Sequence, residues 1–428
     1  MIERTTTEDL LRRAGRVLGY GGLFSVVEGV LADGDRCFPH FASHGQGCRV
    51  VDSTGQEFVD WFLGWGPVVL GHRHPAVDTA IVDQLRRGIH LSLMSPLEIE
   101  VAERLTEIFP CAERVVFGKN GSDMTTAAVR IARAATGRER VLACGYHGFH
   151  DWFRVLDPNV RGVPQALRGL IANFAYNDLQ SARDALAQSP SAYAAIILEP
   201  MHDMLPVPGF LAGLRELADE FGAVLIFDEV VTGLRIALGG AQELFGVVPD
   251  LACVGKALAN GMPLAALVGK AALMAHYPGV GVGMTFRGEC LSYAAARASL
   301  DVLQREPVCA HLAAVGTEVR DAFHASAAAR GLDWRLSGHP SRMNFHVRGG
   351  GRISGPGAQA VFLQECLRGG VLTHGVLLAS YAQDRVSVDQ TKVALDRALA
   401  AVARALERQS LDDVLAYRPP PHFYTDHA

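Results

Sequence analysis

Six short apolar runs, at residues 114–117, 140–144, 194–198, 223–227, 251–254 and 264–268, alternate with helical patterns between positions 67 and 306. Strands buried on both faces read as unbroken apolar runs, and helices between them read as crossovers. An α/β fold follows, with a mostly parallel sheet and helices on both faces. Such a sheet also dictates where a ligand goes, because the crevice lies at the carboxyl ends of the strands. Two runs deliver ionisable residues of opposite sign to that edge. The run 223–227 ends on Asp228-Glu229-Val230, and the run 251–254 ends on Gly255-Lys256.

A lysine held against an apolar wall has its charged form disfavoured, which favours the free amine that condenses with a carbonyl. A carboxylate beside it can keep a pyridinium nitrogen protonated. That combination is what pyridoxal phosphate (PLP) needs from a protein. Of the 40 Lys and Arg residues only four are lysines, Lys119, Lys256, Lys270 and Lys392. Arginine stays protonated and does not serve as such a nucleophile. A Gly-Lys pair alone is more often a solvated loop lysine; Asp228-Glu229-Val230 upstream turns the balance. Val230 lies two residues beyond Asp228 on the same strand face, placed to pack behind the cofactor ring.

Asn120-Gly121-Ser122-Asp123 follows a strand and opens a helical run over 124–135. Backbone N–H groups and a serine hydroxyl at a helix start make an anion cup, although the same tetrapeptide is also an ordinary helix cap. One strand later comes Tyr146-His147-Gly148-Phe149-His150-Asp151. Its histidines and acid match no recognised metal-ligand spacing, and no metal is expected there.

The segment from Gly213 to Arg235, together with Gly240-Ala241-Gln242, the run 245–251 and Gly255-Lys256, resembles the core of class III aminotransferases. Within that class the chain is most similar to glutamate-1-semialdehyde aminomutase and its transaminase relatives, over about residues 25–400. The resemblance implies fold type I, with a seven-stranded, mostly parallel sheet in a large domain and a smaller α+β domain from both termini. It implies PLP bound to Lys256, Asp228 on the ring nitrogen, Gly121 and Ser122 on the phosphate, and Tyr146 stacked on the ring. Met284-Thr285-Phe286 resembles the family loop that reaches the neighbouring subunit's cofactor phosphate, which implies a homodimer with shared sites; a plain loop hydroxyl is the alternative for Thr285. Trp65 is expected at the substrate mouth unless it is a packing residue, and Glu199 either orients site groups or forms a structural ion pair.

One position departs from the aminomutase pattern. Where those relatives carry an arginine that grips the substrate carboxylate, this chain has Glu28. An anion in place of a fork of donors reverses the preference of the site towards cations and hydroxyl-bearing groups. The resemblance then implies an aminotransferase for an amino sugar, aminocyclitol or aminoglycoside, in antibiotic or other secondary metabolism. A PLP-dependent aminomutase or epimerase uses the same residues and is the alternative.

The rest of the chain limits partners and domains. A net charge of −5 argues against a nucleic-acid surface, and no apolar run approaches the 18 or so residues of a membrane span. The first residues carry acids where a secretion signal needs a basic segment, and the eight cysteines show no paired spacing, so a cytoplasmic protein with reduced thiols is expected. Helix from Thr7 and a hairpin across 48–60 precede the large domain. Residues 1–65 are expected to pack with a small domain over 306–428, and residues 66–305 to form the large PLP-binding domain.

Overall fold

The computed structural model describes residues 6–19, 39, 41–412 and 414–416. Glu28 lies outside them. The described strands are, in chain order, β1 (Ala42–Gln46), β2 (Arg49–Asp52), β3 (Glu57–Asp60), β4 (Arg114–Gly118) and β5 (Arg140–Cys144). They continue with β6 (Ile171–Asn173), β7 (Tyr193–Leu198), β8 (Val224–Glu229), β9 (Leu251–Val254) and β10 (Ala265–Gly269). The last four are β11 (Arg335–His339), β12 (Arg342–His346), β13 (Val371–Leu372) and β14 (Val376–Leu378).

The chain divides into two units, one of residues 64–69 and 75–311, the other of 1–63, 70–74 and 312–428. The first unit is built on a seven-stranded sheet in the order β4-β10-β9-β8-β7-β5-β6. The pairs β5–β6, β5–β7, β7–β8 and β8–β9 are parallel. β10 runs antiparallel to both its neighbours, which the apolar run at 264–268 did not disclose. Every residue of β7, β8 and β9 is buried, which explains why those strands read as continuous apolar runs. β6, with three residues, was too short to show in the sequence.

Between β4 and β5 runs the helix Gly121–Thr136, started by a capping box of Asn120 and Asp123 and stopped at the left-handed Gly137 (φ 67°). Its small buried residues Ala127, Ala128 and Ala132 share one core cluster with Val141, Ala195, Ile226 and Leu267. Small side chains let this helix approach the sheet closely, so its N-terminus is fixed beside the carboxyl ends of the strands.

The other unit joins sequence-distant segments. β1, β2 and β3 form an antiparallel meander, and β13 adds to β3 in parallel register. Trp61, fully buried, donates from Nε1 to Thr391 Oγ1 at 2.8 Å. β11, β12 and β14 make a second small sheet. No helix among the described residues is long and apolar enough to cross a membrane.

Candidate active site

β8 carries the central acid. Successive side chains of a strand point to opposite faces, and the two carboxylates at its end have separate partners. Asp228, 6% exposed, meets His147 with Oδ2 2.9 Å from Nδ1, and its Oδ1 accepts from the Val230 N–H at 3.3 Å. Glu229 is fully buried and accepts from the N–H groups of Ala241 (2.6 Å) and Gln242 (3.2 Å), from the Gln242 amide and from the Thr232 hydroxyl (2.8 Å). Burial pushes the Glu229 carboxyl up, and these four hydrogen bonds pull the other way. Asp228 is therefore held by His147 and the Val230 N–H, while Glu229 ties the start of the helix Gly240–Phe245 to the strand.

Val230 joins the two halves of the site. A Cβ placed on Gly121 would sit 2.8 Å from Val230 Cγ2, and one on Gly255 would sit 3.5 Å from Val230 Cγ1. The helix start at Gly121 and the segment before Lys256 thus both pack on this one side chain. Only glycine allows so close an approach at position 121. On the helix side, Gly148 (φ 98°) backs onto Ser122, whose Oγ would clash with an added Cβ.

Lys256 is partly buried and left-handed (φ 38°), and it opens a 3-10 turn whose next three residues, Ala257, Leu258 and Ala259, are completely buried. A non-glycine residue at positive φ costs about 1–3 kcal/mol and persists where the surroundings impose it, which is common at functional sites. The other three lysines are ion-paired: Lys119 with Glu289 at 2.9 Å, Lys270 with Asp250 at 2.6 Å, and Lys392 with Glu318 at 2.5 Å.

Tyr146 is 54% exposed, its ring edge-on to Phe153 at 5.7 Å, and its backbone N–H donates to Glu199 Oε2 at 2.9 Å. Glu199, buried just after β7, also lies 3.4 Å from His202 Nε2 and holds the Tyr146 loop through the Tyr146 N–H. Thr285 is exposed in a 3-10 turn, and its carbonyl accepts from His90 Nε2 at 2.8 Å. Trp65 is 43% exposed within four consecutive left-handed residues, Leu63, Gly64, Trp65 and Gly66. Arg235, fully buried, donates to the Gly66 carbonyl and so anchors that turn.

Gly121 and Gly255 thus pack on Val230, Asp228 accepts from its N–H, and Ser122 meets Gly148 on the loop that carries Tyr146. Thr285 and Trp65 each stand on a turn. The sequence reading missed His147 as the partner of Asp228 and Gln242 with Thr232 as the partners of Glu229. His147 and Asp228 lie 81 residues apart, and no local pattern links them. Among the described residues no acid–histidine–cysteine group is arranged to hold a metal ion.

The residues present fit PLP. The helix start with its glycine could offer N–H donors to a phosphate, a buried carboxylate accepts from the Val230 N–H, and a partly buried amine follows Gly255. The family model described as Aminotransferase class-III matches residues 30–332. A 3-aminobutyryl-CoA aminotransferase of Cloacimonas acidaminovorans is 37% identical over 71% of this chain and 74% of its own. A glutamate-1-semialdehyde 2,1-aminomutase of Roseiflexus castenholzii is 37% identical over 80% of this chain and 82% of its own. Among solved structures, the PLP internal aldimine form of the Sphingopyxis sp. MTA144 FumI protein is 29% identical and superposes with a TM-score of 0.86, over 97% of this chain and 99% of that one.

Proposed function

The chain belongs to the class III aminotransferases, PLP-dependent enzymes of fold type I, and on that footing we propose that its substrate is an amine with no free carboxylate beside the reacting carbon. The observation that carries this reading is Glu28, where the resembling aminomutases hold an arginine for the carboxylate. Amino sugars, aminocyclitols and aminoglycosides are the first class that suits an anion there. A β-amino acyl thioester, the substrate type in the name of the Cloacimonas relative, also brings no free carboxylate and is the second.

Bound PLP supplies an electron sink for charge developing at the substrate carbon. Lys256 is the residue that would hold it covalently and whose free amine would move the proton at that carbon. Gly121 and Ser122 would hold the phosphate, Asp228 would serve the ring nitrogen, and Val230 and Tyr146 would pack against the ring. Glu28 and Trp65 are assigned to the substrate mouth, and Glu199 to holding the Tyr146 loop.

A panel of aminoglycosides, amino sugars, β-amino acyl thioesters, ω-amino acids and glutamate-1-semialdehyde tests the substrate reading. Glu28→Gln is expected to raise KM for a cationic amine by about one to two orders of magnitude, the equivalent of a charged hydrogen bond of roughly 1.5–3 kcal/mol. Efficient turnover of the free-acid substrates alone would overturn it. The Roseiflexus relative, named as an aminomutase, favours isomerisation as the second reading. A requirement for a separate amino donor such as glutamate decides for transamination.

The active unit is read as a homodimer. Leu93 (83% exposed), Met94 (68%) and Phe286 (64%) leave apolar surface uncovered on the single chain. Their segments are tied together by the His90–Thr285 hydrogen bond and by Cys290 N–H donating to the Ile89 carbonyl at 2.7 Å. Covering that surface with a second copy would also carry Thr285 to the partner's cofactor phosphate. Thr285→Ala is then expected to weaken PLP affinity, and dilution that splits the dimer to release PLP. A fully active monomer in sedimentation measurements would refute the shared site.

A further inference from the structure

We infer that Lys119 is a positioning residue for two cofactor sites at once: it steadies the start of its own phosphate cup and, through Glu289, the turn that would carry Thr285 to the partner's cup. This rests on the homodimer reading, in which Thr285 serves the phosphate bound by the neighbouring copy.

Lys119 follows the last residue of β4 and stands two positions before the helix start at Gly121. Its Nζ donates to Glu289 Oε2 at 2.9 Å and to Ser292 Oγ at 3.2 Å. The two charged side chains are only 15% and 12% exposed. Glu289 directly follows the turn Thr285–Gly288 and caps the helix Cys290–Arg305, accepting from the Leu291 and Ser292 N–H groups. Burial raises the Glu289 carboxyl, but hydrogen bonds from Ser292 and Lys119 outweigh it and hold the group below its ordinary value. The contact is therefore a charge-assisted one.

Two neighbouring residues of β4 reach the same segment. Gly118 backs onto Met284, whose Sδ would lie 3.1 Å from an added Cβ. Phe117 packs edge-on against Tyr293 at 5.1 Å, and the Tyr293 hydroxyl donates to the Arg287 carbonyl at 2.8 Å. Residues 117–119 thus hold both flanks of the Thr285 turn, and the ion pair is the link next to the cup. Without the Lys119 ammonium, Glu289 is a largely buried carboxylate that has lost its counter-charge. The turn is displaced with it, so the cofactor site in the partner loosens along with the site in the same chain.

The test uses holoenzyme with a different affinity tag on each subunit, so that wild-type, variant and mixed dimers are purified apart. Release of PLP is followed by its absorbance while a phosphatase destroys the free cofactor. Lys119→Met is expected to speed release about tenfold in the variant dimer, the loss of a charged hydrogen bond. In the mixed dimer one site has the altered cup and the other the altered turn, so no fraction is expected to leave at the wild-type rate. Half of the cofactor leaving at that rate overturns the inference, since Lys119 would then serve its own cup alone. Wild-type release throughout a folded variant overturns it as well. If Lys119→Met does not fold, Glu289→Gln, which keeps an acceptor for the helix cap without the charge, replaces it. Adding Lys119→Met to a Thr285→Ala subunit is expected to leave release from the site built with that turn unchanged; a further acceleration there overturns the route through Thr285. A fully active wild-type monomer sinks the homodimer reading and this inference together.

Discussion

Lys256→Ala abolishes turnover and leaves a folded protein that still takes up PLP without a covalent bond. Proton transfer by a positioned side chain accounts for about 10²–10⁴ in rate by itself, and this variant also loses the covalent hold on the cofactor. No neighbouring amine substitutes, because Lys119, Lys270 and Lys392 are each committed to a carboxylate. Borohydride reduction of the wild type fixes the cofactor on the peptide containing Lys256. Labelling on any other lysine would move the site elsewhere in the chain.

Asp228→Ala is the second large effect, on the order of 10²-fold or more in rate, which corresponds to several kcal/mol of lost transition-state stabilisation. The charge that keeps the ring nitrogen protonated disappears, and His147 loses the carboxylate that accepts from its Nδ1. Asp228→Asn separates charge from shape: it keeps a side-chain oxygen near the ring but not the negative charge, and its activity is expected to fall close to that of the alanine variant. Glu229 does not compensate, since both its oxygens are engaged with Ala241, Gln242 and Thr232. Near-normal kcat in Asp228→Ala would mean that another acid serves the ring.

The parts of this architecture that were legible are those where local sequence and buried surface say the same thing. β7, β8 and β9 are buried on both faces, so their composition alone marks them as strands, and Asp228 and Lys256 stand out because such strands tolerate charge only at their ends. The turn at Gly121 was legible for a similar reason, as a helix start following a strand. The direction of β10 was not, because an apolar run carries no sign of which way it pairs. His147 reads in sequence as one member of a histidine-rich loop, since nothing around it reveals a carboxylate 81 residues further on. The contact of Val230 with Gly121 and Gly255 likewise arises only when three separate segments meet.

The two adjacent carboxylates of β8 bear on how the protein assembles. Asp228 stands opposite Cys253 and Glu229 opposite Val254 on β9. A slip of one residue along β9 would exchange the faces of the two acids. The longer side chain would then crowd the cofactor edge, and the shorter one would fall short of the Ala241 and Gln242 amides, leaving buried donors unmet at about 1–3 kcal/mol each. A mispaired chain would therefore lose stability at the very strand where it loses activity, which excludes a population that is folded but catalytically silent through that error. Folding fidelity and catalytic competence are linked at a single dipeptide, and exchanging Asp228 with Glu229 is expected to damage both.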